Sequence, residues 1–120
     1  MNNHITCLYE LEVKEGKLEG FRELIKRVVA ATRQEPGVLL YEYSISDDGA
    51  KAYIVERYRP EALVPHVDII FAPFAESFLE HVKFTRLLVF GDVTSDLHRR
   101  LDPFGAIYVK PYAGFDRFEG

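Results

Sequence analysis

The stretch IVERYRPEALVPHV, Ile54 to Val67, carries residues suited to moving a proton. His66 has an unperturbed pKa of ~6.5, so near neutral pH it can take a proton or give one. Glu56 falls inside a strand-like run, where a carboxylate is costly unless it is paired. Glu56 and Arg57 point to opposite faces of a regular strand. Two readings follow. In one, Glu56 and His66 belong to the polar wall of a cavity. In the other, Glu56 makes a cross-strand or interface ion pair with Arg57, Arg59 or Arg86, and His66 closes a short helix, bonded to Glu56. The sequence also supplies a set of rings: Tyr41, Tyr43, Tyr53, Phe71, Phe74 and Phe78. Such residues sandwich a flat aromatic molecule or simply fill a core.

Other chemistries find little support. His4, His66, His81 and His98 show no H-x-x-x-H spacing and no His–carboxylate cluster, so no metal is expected. No GxGxxG or phosphate loop is present, so no cofactor is expected. The single cysteine, Cys7, alternates with apolar residues and reads as a buried, inert thiol. The net charge is −4 and the basic residues are dispersed, which argues against nucleic acid as a partner. The N-terminus lacks the pattern of a signal peptide. No apolar segment reads as approaching the ~18 residues that span a bilayer. A cytoplasmic protein with no membrane partner is the expectation.

The elements that must position these residues follow from hydrophobic periodicity. The 120-residue chain is 48% hydrophobic, enough for one packed domain. ITCLYELEV alternates with period two, a first strand. From Leu18 the period lengthens: Leu18, Phe21, Leu24, Ile25, Val28 and Val29 form one stripe of an amphipathic helix. EPG at Glu35 to Gly37 ends it. VLLYEYSI, SDDG and KAYIVERYR read as a hairpin. PEALVPHV begins a helical turn at Pro60 that is interrupted at Pro65, PFAESFLEHV from Pro73 is a second helix, and FTRLLVFGDV is a fourth strand. The order β-α-β-β-α-β predicts an α+β, ferredoxin-like domain over residues 1–93. Residues 94–120 form an extension with a short helix capped by Thr94 or Ser95, a strand near AIYVKPY, and a tail.

Strands two, three and four carry apolar residues on both sides, and helices cover only one side of such a sheet. A bare apolar face is unusual for a monomer, so a homodimer is expected. In it the spare strand Ile107–Val109 could pair with the partner's sheet edge. Alternatively, residues 94–118 fold back over their own sheet.

The ordered set EGKLEGFRELIKRVVAATRQEPGVLLYEYS, VERYRPEALVPHV and FAPFAESFLEHV resembles the antibiotic biosynthesis monooxygenase (ABM) family and its quinol-monooxygenase-like members, over roughly residues 5–92. The resemblance implies a dimeric α+β barrel of two ferredoxin-like units. It implies a cofactor-independent monooxygenase that uses O₂ on a small phenolic or quinol-like substrate. It places His66 at the family's second-helix histidine, as the catalytic polar contact, with Tyr41, Tyr43, Glu56, Phe71 and Phe74 around a small aromatic molecule. A non-enzymatic, dimeric small-molecule-binding or stress-associated protein on the same fold is the alternative. Tyr58 stands where the family often has Trp. The chain has no Trp, and its asparagines are Asn2 and Asn3 alone, which argues against the haem-degrading branch.

Overall fold

The computed structural model describes residues 2–117. Strand β1 (Ile5–Val13) buries Ile5, Cys7, Tyr9 and Leu11 and turns Thr6, Leu8, Glu10 and Glu12 the other way, as the alternation predicts. Helix α1 (Leu18–Thr32) buries Phe21, Leu24 and Val28 from its apolar stripe. Each such side chain contributes about 1.5–3 kcal/mol by leaving water. Strands β2 (Val38–Ile45) and β3 (Lys51–Tyr58) form the hairpin. Its turn is tied by Ser46, whose hydroxyl donates to Asp48 at 2.8 Å, and Gly49 takes the left-handed conformation at φ 74. Strand β4 (Val82–Phe90) pairs with β1, with a bulge at Glu10/Leu11.

The sheet has five strands in the order β2-β3-β1-β4-β5. The first four positions are those of the ferredoxin-like unit. The fifth strand, β5 (Ile107–Val109), runs parallel to β4 of its own chain, with Val89 opposite Tyr108.

Between β3 and β4 the chain stays helical from Pro60 to His81. A 3₁₀ turn (Pro60–Ala62) leads into the single turn α2 (Leu63–Pro65), a π-helical segment (His66–Phe71) and α3 (Ala72–His81). The sequence reads as two separate helical pieces, the first interrupted at Pro65 and the second starting at Pro73, yet the run is continuous. Pro73 has no N–H to give in a regular α-turn, and its ring crowds the carbonyl four residues back. The wider π turn ahead of it relieves that crowding, and such turns are often found at functional sites. The run of 22 residues, with a mean hydropathy of 1.4 in its most apolar window, is therefore long and apolar enough by length and composition to cross a bilayer. This differs from the expectation drawn from the broken sequence pattern. Here the run turns Leu63, His66 and Phe78 into the core and leaves Ile69 exposed.

The Glu-Pro-Gly turn after α1 docks on the head of this run. The Arg59 amide donates to the Gly37 carbonyl at 2.9 Å. A Cβ on Gly37 would lie 2.6 Å from the Cβ of Ala62, so the glycine is needed for close approach rather than for turn geometry alone. This contact brings Glu35 up against the helical run.

The extension continues with α4 (Ser95–Leu101), capped by Thr94, whose side-chain oxygen accepts from the Leu97 amide at 3.3 Å. Leu97 and Leu101 are fully buried. Arg100 grips Asp68 of the π segment with two hydrogen bonds, Nε to Oδ1 at 2.8 Å and Nη2 to Oδ2 at 2.6 Å. A 3₁₀ turn (Asp102–Phe104) and Gly105, at φ 71, lead into β5.

Opposite the helices, the sheet presents Leu8, Val55 and Leu88 in one row across β1, β3 and β4. Glu42 and Glu10 lie on the same face, with Arg86 opposite Glu10. Among the described residues no helix covers this face. The tail reaches one end of it, where Asp116 pairs with Arg57 and accepts from Asn2 at 2.6 Å. Tyr112 and Phe115 of the tail are exposed, at 99% and 81%.

Candidate active site

A small cavity of about 60 Å³ lies between the helix-bearing face of the sheet and the helices. The strands give it Tyr9, Ile54, Glu56 and Phe84. The helical run gives it His66, Val67, Phe71 and Phe78. The extension closes it with Arg100, Leu101 and Phe104. Its lining is therefore mostly apolar, with a few convergent polar groups, the usual character of a small-molecule site.

His66 is buried at 3% exposure. Its Nδ1 lies 2.8 Å from Glu35 Oε2, and not against Glu56 as one reading of the sequence had it. A carboxylate only accepts, so Nδ1 carries the hydrogen. The neutral ring then keeps its lone pair on Nε2. Glu35 thus orients the imidazole and stabilises the imidazolium that forms if Nε2 takes a proton, the same logic as the buried aspartate of a hydrolytic triad. Tyr41 and Tyr58 hold the ring from two sides, each with its ring centre 5.4 Å from that of His66.

Glu56 sits on the same face of β3 as Ile54 and Tyr58, 5% exposed. The Tyr58 hydroxyl donates to Glu56 Oε1 at 2.9 Å. Burial pushes the carboxyl up to about 8, the nearby charge of Glu35 adds to this, and the Tyr58 hydrogen bond only partly opposes it. At neutral pH Glu56 is therefore mostly a carboxylic acid with an O–H to give. Burial likewise raises the hydroxyls of Tyr9 and Tyr58, so both stay protonated as donors. The cavity thus joins a histidine oriented by a carboxylate to a carboxylic acid that holds its proton. That arrangement can remove a proton from one atom of a bound molecule and donate one to another.

Of the residues singled out from the sequence, His66, Glu56, Phe71 and Phe78 meet at the cavity. Tyr41 and Tyr43 are outside its wall. Tyr41 stands against His66, and its hydroxyl lies 2.9 Å from that of Tyr43. Phe74 packs against the core without lining the cavity. Tyr53 shares the opposite face of β3 with Val55 and Arg57. Glu56 has Tyr58 as its hydrogen-bond partner, whereas Arg57 points to the other face and bonds His4 Nδ1 at 3.1 Å. Glu35, Tyr9, Phe84, Arg100 and Phe104 were not singled out. Tyr9 had a legible signal, since it shares the parity of Cys7 and Leu11 on β1. Glu35 had none beyond its place in the turn, because its partner lies 31 residues away. Among the described residues no group of three or more His, Cys, Asp or Glu side chains is placed to hold a metal ion.

The profile of the Antibiotic biosynthesis monooxygenase family matches residues 4–64, which include Glu35 and Glu56 and end two residues before His66. No curated protein matches the sequence significantly. Among solved structures, MupZ from Pseudomonas fluorescens is similar over 97% of this chain and 96% of its own, with a TM-score of 0.85 and 22% identity. SO0527 from Shewanella oneidensis is similar over 76% of this chain and 93% of its own, with a TM-score of 0.64 and 26% identity. SnoaB from Streptomyces nogalater, a cofactor-independent oxygenase, covers 78% of this chain and 97% of its own, at a TM-score of 0.66 and 14% identity. The likeness to MupZ thus extends over nearly the whole chain, whereas the other two leave about a fifth to a quarter of it unmatched.

Proposed function

Because this chain belongs to the antibiotic biosynthesis monooxygenase family, we propose that it is a cofactor-independent oxygenase of a small phenolic or quinol-like substrate. The observation that carries the reading is the pairing of the Glu35-oriented His66 with the protonated Glu56 at one apolar cavity. His66 Nε2 takes the phenol proton, and Glu35 stabilises the resulting imidazolium. The phenolate passes one electron to O₂, and the radical pair recombines with formation of a C–O bond. Glu56 gives its proton to the peroxide. The O–O bond then breaks, the departing hydroxide takes the proton of the oxygenated carbon to leave a quinone and water, and the His66 imidazolium returns its proton to Glu56. One phenol and one O₂ thus give one quinone and one water. The apolar walls contribute orientation and exclude water.

The protonated state of Glu56 also favours a second reading, a redox-neutral conversion. In it Glu56 protonates a substrate oxygen as its C–O bond breaks, and His66 removes a proton elsewhere. Oxygen consumption with a panel of phenols and hydroquinones separates the two. The first reading expects uptake of one O₂ per substrate and one ¹⁸O in the product formed under ¹⁸O₂. Conversion without oxygen uptake would move the assignment to the second, and binding without conversion would leave a binding protein.

The oligomer belongs to the same proposal. The open face with Leu8, Val55 and Leu88 at its centre fits a second copy of the chain, sheet to sheet. Val55→Asp is expected to weaken self-association by roughly 100-fold or more, since an unpaired buried carboxylate costs several kcal/mol. Sedimentation velocity checks it. A wild-type chain that stays at 13.8 kDa at every concentration would remove the dimer.

A further inference from the structure

A cavity of about 60 Å³ holds water but not an aromatic ring. An apolar cavity of about 150 Å³ is what takes up benzene. A ring therefore enters only if a wall gives way. Among the wall residues Phe104 alone is exposed, at 38%. Its ring centre lies 4.9 Å from that of Phe84, which in turn stacks on Phe78 at 5.7 Å. The rings form a path from solvent to the cavity floor.

The backbone on either side of Phe104 is held. Arg100 grips Asp68 with both hydrogen bonds of a fork, which is rigid geometry. Tyr108 donates to Asp102 on the other side. Leu97 and Leu101 root the helix beneath. The Phe104 side chain is thus the cheapest part of the wall to move, since its outward swing exposes one ring and breaks no hydrogen bond.

We propose that Phe104 determines the size of the substrate. Its ring swings outward to admit a single aromatic ring, and its bulk excludes fused two-ring phenols. This rests on the reading that the cavity binds the substrate, but it needs no particular reaction there.

Calorimetric titration with phenol and with 1-naphthol tests it on the full chain. Phe104→Ala is expected to bind 1-naphthol at least tenfold more tightly than the wild type does. Phe104→Trp is expected to weaken both ligands at least tenfold. Thermal melting checks that each variant folds, and Phe104→Leu replaces any that does not. An unchanged ratio of the two affinities in Phe104→Ala overturns the proposal, as does failure of every variant and the wild type to bind either ring. A changed ratio with no oxygen uptake supports Phe104 as the size filter and removes the oxygenase reading. Oxygen uptake with an unchanged ratio removes the filter and leaves the oxygenase.

Discussion

His66→Ala is expected to lower kcat/KM for a phenolic substrate by ~10²–10⁴-fold, the usual range for a lost general base. The effect should fall on kcat, because the imidazole acts on the proton and contributes little of the apolar surface that binds the ring. Glu35→Gln tests the same assembly one residue out. It keeps a side chain that can accept from Nδ1 but removes the charge that faces the imidazolium. A loss of about 10²-fold in kcat with KM little changed is the expectation, with partial recovery in Glu35→Asp. A merely structural role for Glu35 would instead lower the melting temperature and leave the rate of the folded fraction alone. Phe74→Leu provides the control, since Phe74 has no place on the cavity wall, and its activity should stay near that of the wild type. Steady-state oxygen uptake across the four variants gives the answer.

Glu56→Gln is expected to stabilise the protein at alkaline pH. The sign follows from proton linkage. The ordinary carboxyl value is 4.5 and the folded one about 8. Between them the folded chain keeps a proton that the unfolded chain has lost, so this contribution to stability is complete below about 4.5. It declines as pH rises and is gone above about 8. A gap of about 3.5 pH units, from 4.5 to about 8, corresponds to at most about 5 kcal/mol at 1.36 kcal/mol per unit. Glutamine has no proton to lose, and its carbonyl can still accept from Tyr58. Urea titrations of both proteins at pH 5 and pH 9 should give similar stabilities in acid and a more stable variant in base, by several kcal/mol. Equal stabilities at both pH values would mean that the buried carboxyl ionises as if in water. Activity should move the opposite way: the wild-type rate falls as pH passes about 8, and Glu56→Gln loses the proton donor at every pH.

Much of the scaffold could be read from local patterns. The period-two run of β1 and the stripe of α1 each depend on neighbours within a few residues, and both elements form where those patterns place them. The burial of His66 and Glu56 was legible because a charged or titratable residue in an apolar run has few inexpensive places to go. The failures are non-local. Glu35 meets His66 across 31 residues, and the Glu-Pro-Gly turn looked complete as a helix stop. Phe104 and Arg100 lie in the extension, where no periodicity pointed back to the cavity. The tyrosines of β2 were misread in role for a different reason. Their parity does face the helices, but the helical run places His66 against Tyr41, so they support the base and leave the wall to Phe71, Phe78 and Phe84. The prolines misled because Pro65 lies inside the helical run without ending it, and Pro73, which reads as the start of a separate helix, follows a widened turn of the same run.

The claim on which the chemistry rests is that Glu56 keeps its proton at neutral pH beside an oriented histidine. Its side-chain carboxyl carbon can be followed directly by ¹³C NMR from pH 4 to pH 10, assigned by the loss of its signal in Glu56→Gln. The account predicts a titration centred near 8. A midpoint near the ordinary 4.5 would contradict it, because the cavity would then hold a carboxylate at neutral pH and no acid to set against His66.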